Sequence, residues 1–189
     1  LDQLIQKDKE LFLYLNGLGN PDWDFLWLFI SNKWAALPLY LALLLLCFKV
    51  FKAKDVFLVL IIVALLITAT DQTANLFKYG FERLRPCHDP EIEHLVRLVK
   101  ASCGGKFGYF SAHAANSFAV ASFFTFLLNS HFKWLPWLLF VWGTAVAYSR
   151  VYLGVHFPLD IATGAFIGLF FGWLFSLGYL KLVKIPLKR

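Results

Sequence analysis

The residues best suited to chemistry stand at three junctions between apolar segments. The first is the end of the second long apolar segment, where polar residues recur at helical spacing: Asp71, Asn75, Lys78, Glu82 and Arg85. This spacing predicts one polar face on an otherwise apolar helix, ended by Pro86. A snorkelling side chain at a membrane surface would explain either cation alone. Two cations on one face, backed by carboxylates, favour a functional site, because ionisable groups near a membrane span are costly.

The second and third junctions each carry a histidine. Ser111 is a candidate N-cap, and the small residues after it would leave backbone N–H groups open to an anion, with His113 in the first turn. At the third junction, Asp160 is close enough to accept a hydrogen bond from one ring nitrogen of His156. That bond would select one tautomer and leave the other nitrogen free as a nucleophile or base. The simpler interpretations are a capped helix with an interfacial histidine, and an Arg150–Asp160 ion pair that closes a tight loop.

Taken together, the three junctions predict a pocket for a multiply charged oxyanion, most simply phosphate. Lys78, Arg85 and Arg150 supply cations, and the two histidines supply groups that can titrate or attack phosphorus. Few carboxylates are available as magnesium ligands, and the cations would repel zinc. We therefore expect no metal and no other cofactor. The residues alone predict metal-independent phosphoryl transfer through a histidine.

Long apolar segments flank these residues in the sequence. Of the 189 residues, 59% are hydrophobic and 16% are charged, whereas soluble domains carry roughly 25% charged residues. A membrane-crossing helix needs roughly 20 mostly apolar residues. Five segments approach or reach this length: Phe25–Phe48, Val56–Phe77, Phe107–Ser130, Trp134–Ser149 and Ile161–Leu180. The sequence thus predicts an all-α polytopic membrane helix bundle, a single domain over residues 1–189, with about five transmembrane helices. Splitting the first segment at Lys33 would make six spans, but from short pieces.

Two segments outside these spans have predicted roles. Residues 1–20 have the pattern of an amphipathic helix that lies in the membrane interface, with Asp8 among the charged residues away from its apolar face. Residues 82–108 form the longest polar connection, and we expect them to lie over the site on the extracytoplasmic side. Within that loop, Cys87 and Cys103 are either a disulfide-bonded pair or two free thiols.

The charge distribution predicts the orientation in the membrane. Residues 49–55, 129–134 and 181–189 together carry eight Lys and Arg residues against one Asp, on the side opposite the three junctions. Short loops rich in Lys and Arg stay in the cytoplasm, so the site is expected to face the periplasm or extracytoplasmic space from a bacterial inner membrane. A nucleic-acid partner is not expected, because no exposed basic face with aromatic platforms lies outside the spans. The predicted partners are the lipid bilayer and a lipid phosphate, and the sequence leaves the oligomeric state open.

The three junctions also match a known pattern. Lys78 is followed after six residues by Arg85-Pro86, then comes Ser111-Ala112-His113, and the last part is Ser149-Arg150, five residues, His156, three residues and Asp160. This order resembles the three-part signature of the type 2 phosphatidic acid phosphatase (PAP2) superfamily. The family's second part usually reads Pro-Ser-Gly-His, whereas this chain has Phe110-Ser111-Ala112-His113.

The resemblance implies divided roles for these residues. His156 would attack phosphorus and form a phosphohistidine, and Asp160 would hold its ring. His113 would protonate the leaving oxygen and then activate water. Four further residues would bind the phosphoryl oxygens: Lys78, Arg85, Ser111 and Arg150.

The resemblance also implies an amphiphilic phosphate substrate. Undecaprenyl diphosphate, phosphatidylglycerophosphate and phosphatidic acid are the first expectations, and lipid A is the alternative. A phosphotransferase that passes the phosphoryl group to a lipid would use the same residues. A silent lipid-phosphate binder is the non-enzymatic alternative, and it would need the cations but no histidine nucleophile.

Overall fold

The computed structural model describes residues 2–183, and within this range the chain is helical without β-strands. Its seven α-helices in that range are α1 (Asp2–Gly17), α2 (Pro21–Ile30), α3 (Leu37–Val50), α4 (Ala53–Phe81), α5 (Ala112–Leu128), α6 (Leu135–Tyr152) and α7 (Pro158–Leu182). Short 3₁₀ helices cover Lys33–Ala36, Pro86–His88 and Glu93–Leu95. The predicted all-α membrane bundle is confirmed.

The helices differ in how far they could reach across a membrane. Three segments among residues 2–183 are long and apolar enough to span one: Lys33–Val50, Ala53–Phe81 and Pro158–Leu182. α5 has 17 residues and α6 has 18, and both pack in the same bundle. The five predicted spans therefore correspond to these three segments, to α5, which is shorter, and to α6, which equals Lys33–Val50 in length but is less apolar.

The first predicted span, Phe25–Phe48, is not one continuous helix. α2 ends at Ile30, and a new helical stretch begins at Lys33. The Asn32 side chain accepts a hydrogen bond from the Trp34 amide at 3.0 Å, so it caps the new turn and competes with continuation of α2. The expectation of an unbroken span is wrong here, because apolar composition alone does not show where a capping side chain starts a new helix.

α5 lies at the centre of the bundle and packs closely against α7. Along this contact, a Cβ atom at Gly164 of α7 would lie 2.6 Å from the Ser111 carbonyl oxygen. A Cβ atom at Gly168 would likewise collide with the Ala115 carbonyl oxygen. Only glycine permits such a close approach of two helix backbones. The contact brings the first turns of α5 and α7 together, and these turns carry predicted site residues.

α1 packs across the junction between α6 and α7. Its buried residues are Asp8, Phe12 and Asn16. The Phe12 ring lies 5.3 Å from the Phe157 ring, and Asn16 Nδ2 donates to the Val151 carbonyl at 3.1 Å. The predicted helix is present, but the expectation that Asp8 lies away from the packed face is wrong. Asp8 is buried because it pairs with groups that come from distant parts of the chain.

The outer face of α1 keeps apolar side chains exposed, as an interfacial helix requires. Three of them are Leu4, Leu11 and Tyr14. Leu1 of the predicted helix lies outside the described residues. So do the basic residues Lys184, Lys188 and Arg189, which contribute to the predicted orientation.

The 82–108 segment folds back on itself and is tied to the bundle. Leu84 and Phe107 form an isolated antiparallel bridge near its two ends. In its middle, Arg97 pairs with Asp24 of α2 at 2.7 Å. These contacts hold the start of the segment, including Arg85, beside the starts of α5 and α7.

Candidate active site

His156 and Asp160 form a buried pair at the junction of α6 and α7. Gly154, with a φ of 79°, turns the chain after α6, and Pro158 begins α7. Asp160 therefore lies in the first turn of α7, where its Oδ2 accepts from the Phe157 amide at 3.0 Å and from His156 Nδ1 at 3.2 Å. With the proton on Nδ1, the other ring nitrogen, Nε2, keeps its lone pair for a nucleophile or base.

Burial and nearby cations keep the His156 imidazole neutral. The residue is 2% exposed. The pKa of His156 lies well below its usual value of 6.5, first because of burial and then because of the charges of Arg85, Arg150 and Lys78. Attack on phosphorus requires a neutral imidazole, so this environment suits a nucleophile. A bound anion would offset the same cations.

Lys78, Arg85 and Arg150 have no carboxylate partner among residues 2–183. Arg150 is buried at the end of α6, where it donates to Ser31 Oγ while its Nε has no partner. Arg85 is held in place by the Cys103 carbonyl, to which its Nη1 donates at 3.0 Å. Arg150 is buried and the other two cations are partly buried, and such cations without counter-charges favour a bound anion. The three side chains can therefore bind an oxyanion beside the histidine–aspartate pair.

The start of α5 lies against the same pair. Ser111 is buried and caps α5, since its Oγ accepts from the Ala114 amide at 3.5 Å. Its own amide donates to the Asp160 carbonyl at 3.0 Å. His113 follows in the first turn, within electrostatic reach of His156. The structure thus gathers all seven predicted site residues at one end of the bundle: Lys78, Arg85, Ser111, His113, Arg150, His156 and Asp160.

Arg85 reaches the site by a different route from the predicted helical face. α4 ends at Phe81, and Glu82 follows as its C-cap with a positive φ of 49°. Arg85 therefore lies in the loop, where a Cβ atom at Gly108 would be 2.9 Å from Arg85 Cγ. Asn75 and Glu82, two members of the predicted polar face, are exposed and lie outside the cluster. The prediction of one continuous helical face from Asp71 to Arg85 is wrong beyond the end of α4.

Arg83 and Asp8, which the motifs do not single out, support the histidine–aspartate pair. Arg83 Nη1 donates to Asp160 Oδ1 at 2.9 Å, and Arg83 Nη2 donates to Asp8 Oδ2 at 2.6 Å. The other Asp8 oxygen accepts from the Leu159 amide at 2.9 Å. Asp8 therefore holds both the guanidinium and the first turn of α7. Its spacing of four residues from the apolar Phe12 is the sequence signal that could have placed it on the packed face.

The 82–108 segment adds further groups near the site. Cys87 and Cys103 lie side by side with Cα atoms 6.3 Å apart, which is within the span of a disulfide. His88 lies beside them, and with reduced thiols these three side chains could instead hold a metal ion. The pKa of Lys100 is lowered from its usual value, first by partial burial and then by the charges of Arg150 and Arg85.

Comparison with known families assigns the chain to one of them. The family model of the PAP2 superfamily matches residues 52–184. The chain belongs to the PAP2 superfamily. It is therefore a membrane phosphatase of that superfamily. The matched range begins between α3 and α4, so α1, α2 and α3 lie outside it.

Two relatives within this superfamily are similar over most of their length. The lipid A 4'-phosphatase of Bacteroides thetaiotaomicron is 39% identical over 171 residues, which cover 89% of this chain and 75% of that protein. The lipid A 4'-phosphatase of Porphyromonas gingivalis is 32% identical over 173 residues, which cover 91% of this chain and 72% of that protein.

A solved PAP2 structure has the same fold. The transmembrane PAP2-type phosphatidylglycerolphosphate phosphatase from Bacillus subtilis matches with a TM-score of 0.75 at 22% identity. The match covers 100% of this chain and 90% of that one. At this identity the likeness concerns the fold alone.

Proposed function

We propose that this PAP2 protein dephosphorylates a membrane lipid without a metal, through a phosphohistidine at His156, and that lipid A is its substrate. The observation that carries the mechanism is the buried His156–Asp160 pair, 3.2 Å apart, beside three cations with no carboxylate partner among residues 2–183. The names of the two relatives support lipid A. They favour it over the prenyl and glycerol lipids that the resemblance puts first.

The first chemical step forms the covalent intermediate. His156 Nε2 attacks phosphorus, the bond from phosphorus to the lipid oxygen breaks, and His113 gives its proton to that oxygen. The Nδ1 proton of His156 stays on the ring and donates a hydrogen bond to Asp160, whose carboxylate stabilises the positive charge on the ring. Lys78, Arg85 and Arg150 bind the three outer phosphoryl oxygens as negative charge shifts onto them.

The second step returns the enzyme to its starting state. His113, now neutral, takes a proton from water as the water oxygen attacks phosphorus. The phosphorus–nitrogen bond breaks, and inorganic phosphate leaves. His156 is restored with its proton on Nδ1 and its lone pair on Nε2.

We place the site on the periplasmic side of a bacterial inner membrane. Lys49, Lys52 and Lys54 are exposed where α3 ends and α4 begins, and Lys133 is exposed before α6. These lysines lie at the helix ends opposite to the candidate site, and short basic loops remain in the cytoplasm. An impermeant maleimide applied to intact spheroplasts should label Glu91→Cys but not Lys52→Cys. The reverse pattern would overturn this orientation.

The experiment that tests the reaction measures phosphate release by the purified protein in EDTA. The lipid panel contains lipid A, undecaprenyl diphosphate, phosphatidylglycerophosphate and phosphatidic acid. We expect release from lipid A, and a loss of at least about 10³-fold in His156→Ala. His131→Ala is the matched control, because His131 is exposed in the α5–α6 loop.

A second measurement tests the intermediate directly. After rapid quenching with ³²P-labelled lipid, the label should stay on the protein in alkali and be lost in acid, as for a phosphoramidate. Activity retained in His156→Ala, or activity abolished by EDTA, would refute the mechanism. Phosphate found on an added lipid acceptor instead of in solution would make the protein a transferase.

A further inference from the structure

A cavity of about 260 Å³ lies next to His113. Its lining includes Asp71, which precedes Lys78 by about two helical turns in α4, so the cavity extends deeper into the bundle than the phosphate site. Its walls come from the α2–α3 connection, α4, α5 and α6. The polar residues around it are Ser31, Asn32, Lys33, Asp71, His113, Asn116 and Ser117. The part of a substrate that is bonded to the phosphate would therefore meet a polar wall before it reaches the hydrocarbon core.

A second cavity, of about 370 Å³, continues from the first. The two share four lining residues: Lys33, Tyr40, Asp71 and Asn116. Beyond these, the second cavity is lined by apolar side chains of α3, α4 and α5, including Leu43, Leu60 and Phe124. Phosphate site, polar cavity and apolar cavity follow one another, which is the order of groups in a lipid whose phosphate sits on a polar head group.

Asp71 is the chemically decisive residue of the polar cavity. Its Oδ1 accepts from Asn116 Nδ2 at 2.9 Å, and Asn116 Oδ1 in turn accepts from Thr70. No other hydrogen bond and no ion pair reaches the Asp71 side chain within residues 2–183. Lys33 lines the same cavity without pairing with it. An ionisable residue inside a membrane span that forms no salt bridge indicates a functional role.

A carboxylate at this position would discriminate between substrates. It repels phosphate and accepts hydrogen bonds only, so it requires donors on the substrate. A substrate without donors would cover the carboxylate and leave it unpaired, which is costly. Sites built to hydrogen-bond a substrate group reject analogues that lack that group by up to about 10⁴–10⁵-fold.

We infer that Asp71, oriented by Asn116, forms a head-group subsite that accepts hydrogen bonds from hydroxyl or amide N–H groups next to the scissile phosphate. This inference rests on the proposed function and names the substrate class of the same site. An acylated amino sugar such as that of lipid A offers several such donors. The glycerol of phosphatidylglycerophosphate offers one hydroxyl. The prenyl chain of undecaprenyl diphosphate and the diacylglycerol of phosphatidic acid offer none beside the phosphate.

The kinetic test compares kcat/KM for lipid A and phosphatidic acid in the wild type and in Asp71→Asn and Asp71→Leu. Asparagine keeps the shape and one acceptor, whereas leucine removes both acceptors. We expect the ratio of kcat/KM for lipid A to kcat/KM for phosphatidic acid to fall modestly in Asp71→Asn and at least tenfold in Asp71→Leu. Asn75→Ala is the matched control, because Asn75 is exposed on the same helix and lines neither cavity. An unchanged ratio, whether both lipids lose activity equally or neither does, would overturn the inference.

A binding measurement separates the failure of this inference from the failure of the proposed function. His156→Ala in nanodiscs is titrated with dephosphorylated lipid A and with diacylglycerol, with and without Asp71→Leu. We expect Asp71→Leu to weaken binding of the sugar lipid at least tenfold relative to diacylglycerol. This result would support the subsite even if the wild type released no phosphate. Equal affinities in the presence and absence of Asp71→Leu would refute it even if turnover through His156 were established.

Discussion

Asp8 of α1 lies 2.6 Å from the guanidinium of Arg83, and both groups are largely buried. The same guanidinium donates to Asp160 Oδ1 at 2.9 Å. A chain of charges therefore runs from α1 to His156. Burial raises the pKa of Asp8, and its bonds to Arg83 and the Leu159 amide oppose that effect. α1 lies outside the range that matches the family model. The contact between Asp8 and Arg83 therefore adds a residue from outside that range to the support of the site.

Removing the Asp8 charge should impair catalysis through Asp160. In Asp8→Asn, Arg83 loses its second carboxylate and is free to shift toward Asp160, which disturbs the hydrogen bond that orients His156. We expect kcat to fall about 10–100-fold with little change in KM, as for residues that orient a reacting group. Steady-state phosphate release checks this.

Asp2→Asn is the matched control for that variant, because Asp2 is exposed in the first turn of the same helix. Circular dichroism of both variants shows whether α1 remains folded. A normal kcat in folded Asp8→Asn would show that the Asp8–Arg83 pair serves stability alone.

Replacement of Asp160 by Asn should be more damaging. The carboxylate accepts from His156, the Phe157 amide and Arg83, and an amide nitrogen in its place would oppose one of these donors. The wrong histidine tautomer would then be favoured, a change that costs about 10⁴-fold in a comparable catalytic triad. We expect a fall of similar size in kcat, measured on lipid A. Asp22→Asn, an exposed change at the start of α2, should retain activity.

The charges around His156 predict a pH effect with a definite sign. Burial and then Arg85, Arg150 and Lys78 lower the pKa of His156, while Asp160 faces its Nδ1. The lowered pKa keeps the His156 imidazole neutral to more acidic pH, so the acid limb of the kcat/KM profile extends below the usual histidine pKa of 6.5. Arg85→Gln removes one cation, so it raises the pKa of His156 and should move the acid limb to higher pH.

The pH profiles of wild type and Arg85→Gln are compared on one substrate, so that ionisation of the substrate phosphate is common to both. Lys106→Gln is the control, because Lys106 is exposed in the same segment. A shift to lower pH in Arg85→Gln would contradict the predicted electrostatics.

The glycine contact between α5 and α7 predicts a localised sensitivity. In Gly168→Ala, the new Cβ would collide with the Ala115 carbonyl oxygen, whereas a Cβ at Gly178 meets nothing within 4 Å. We expect Gly168→Ala to lower the free energy of unfolding by about 1–3 kcal/mol and to reduce activity by separating Ser111 from Asp160. Gly178→Ala should match the wild type in denaturation and turnover. Equal behaviour of the two variants would contradict this packing.

We propose that Cys87 and Cys103 are disulfide-bonded. Their sequence separation is 16, and closing a loop of this size stabilises the folded state by about 3 kcal/mol in the chain-entropy model. Non-reducing peptide mapping should recover the linked peptides. A reducing agent should lower the thermal stability of the wild type but not that of the double variant Cys87→Ser/Cys103→Ser. Free thiols with bound zinc would instead support the metal-ligand arrangement with His88.

The class of fold and the main chemical groups of the site could be predicted from the amino-acid sequence. Long apolar segments need helices in a bilayer, because every backbone polar group must be satisfied within the segment. The pairing of His156 with Asp160 was also predictable, because both lie within one turn at a helix start. The Ser111 cap follows from the same local rule. Each of these features depends on residues that are neighbours along the chain.

The distant groups that support this chemistry could not be predicted from the sequence, because helix packing brings them together. Asp8 and Arg83 are 75 residues apart, and no periodicity relates α1 to the loop after α4. Arg85 reaches the site because α4 ends at Phe81 and the loop folds back, not because of helical spacing. The polar cavity around Asp71 likewise needs walls from several helices. Sequence periodicity indicates which face of a single helix is apolar or polar. Which faces contact each other depends on how the helices pack.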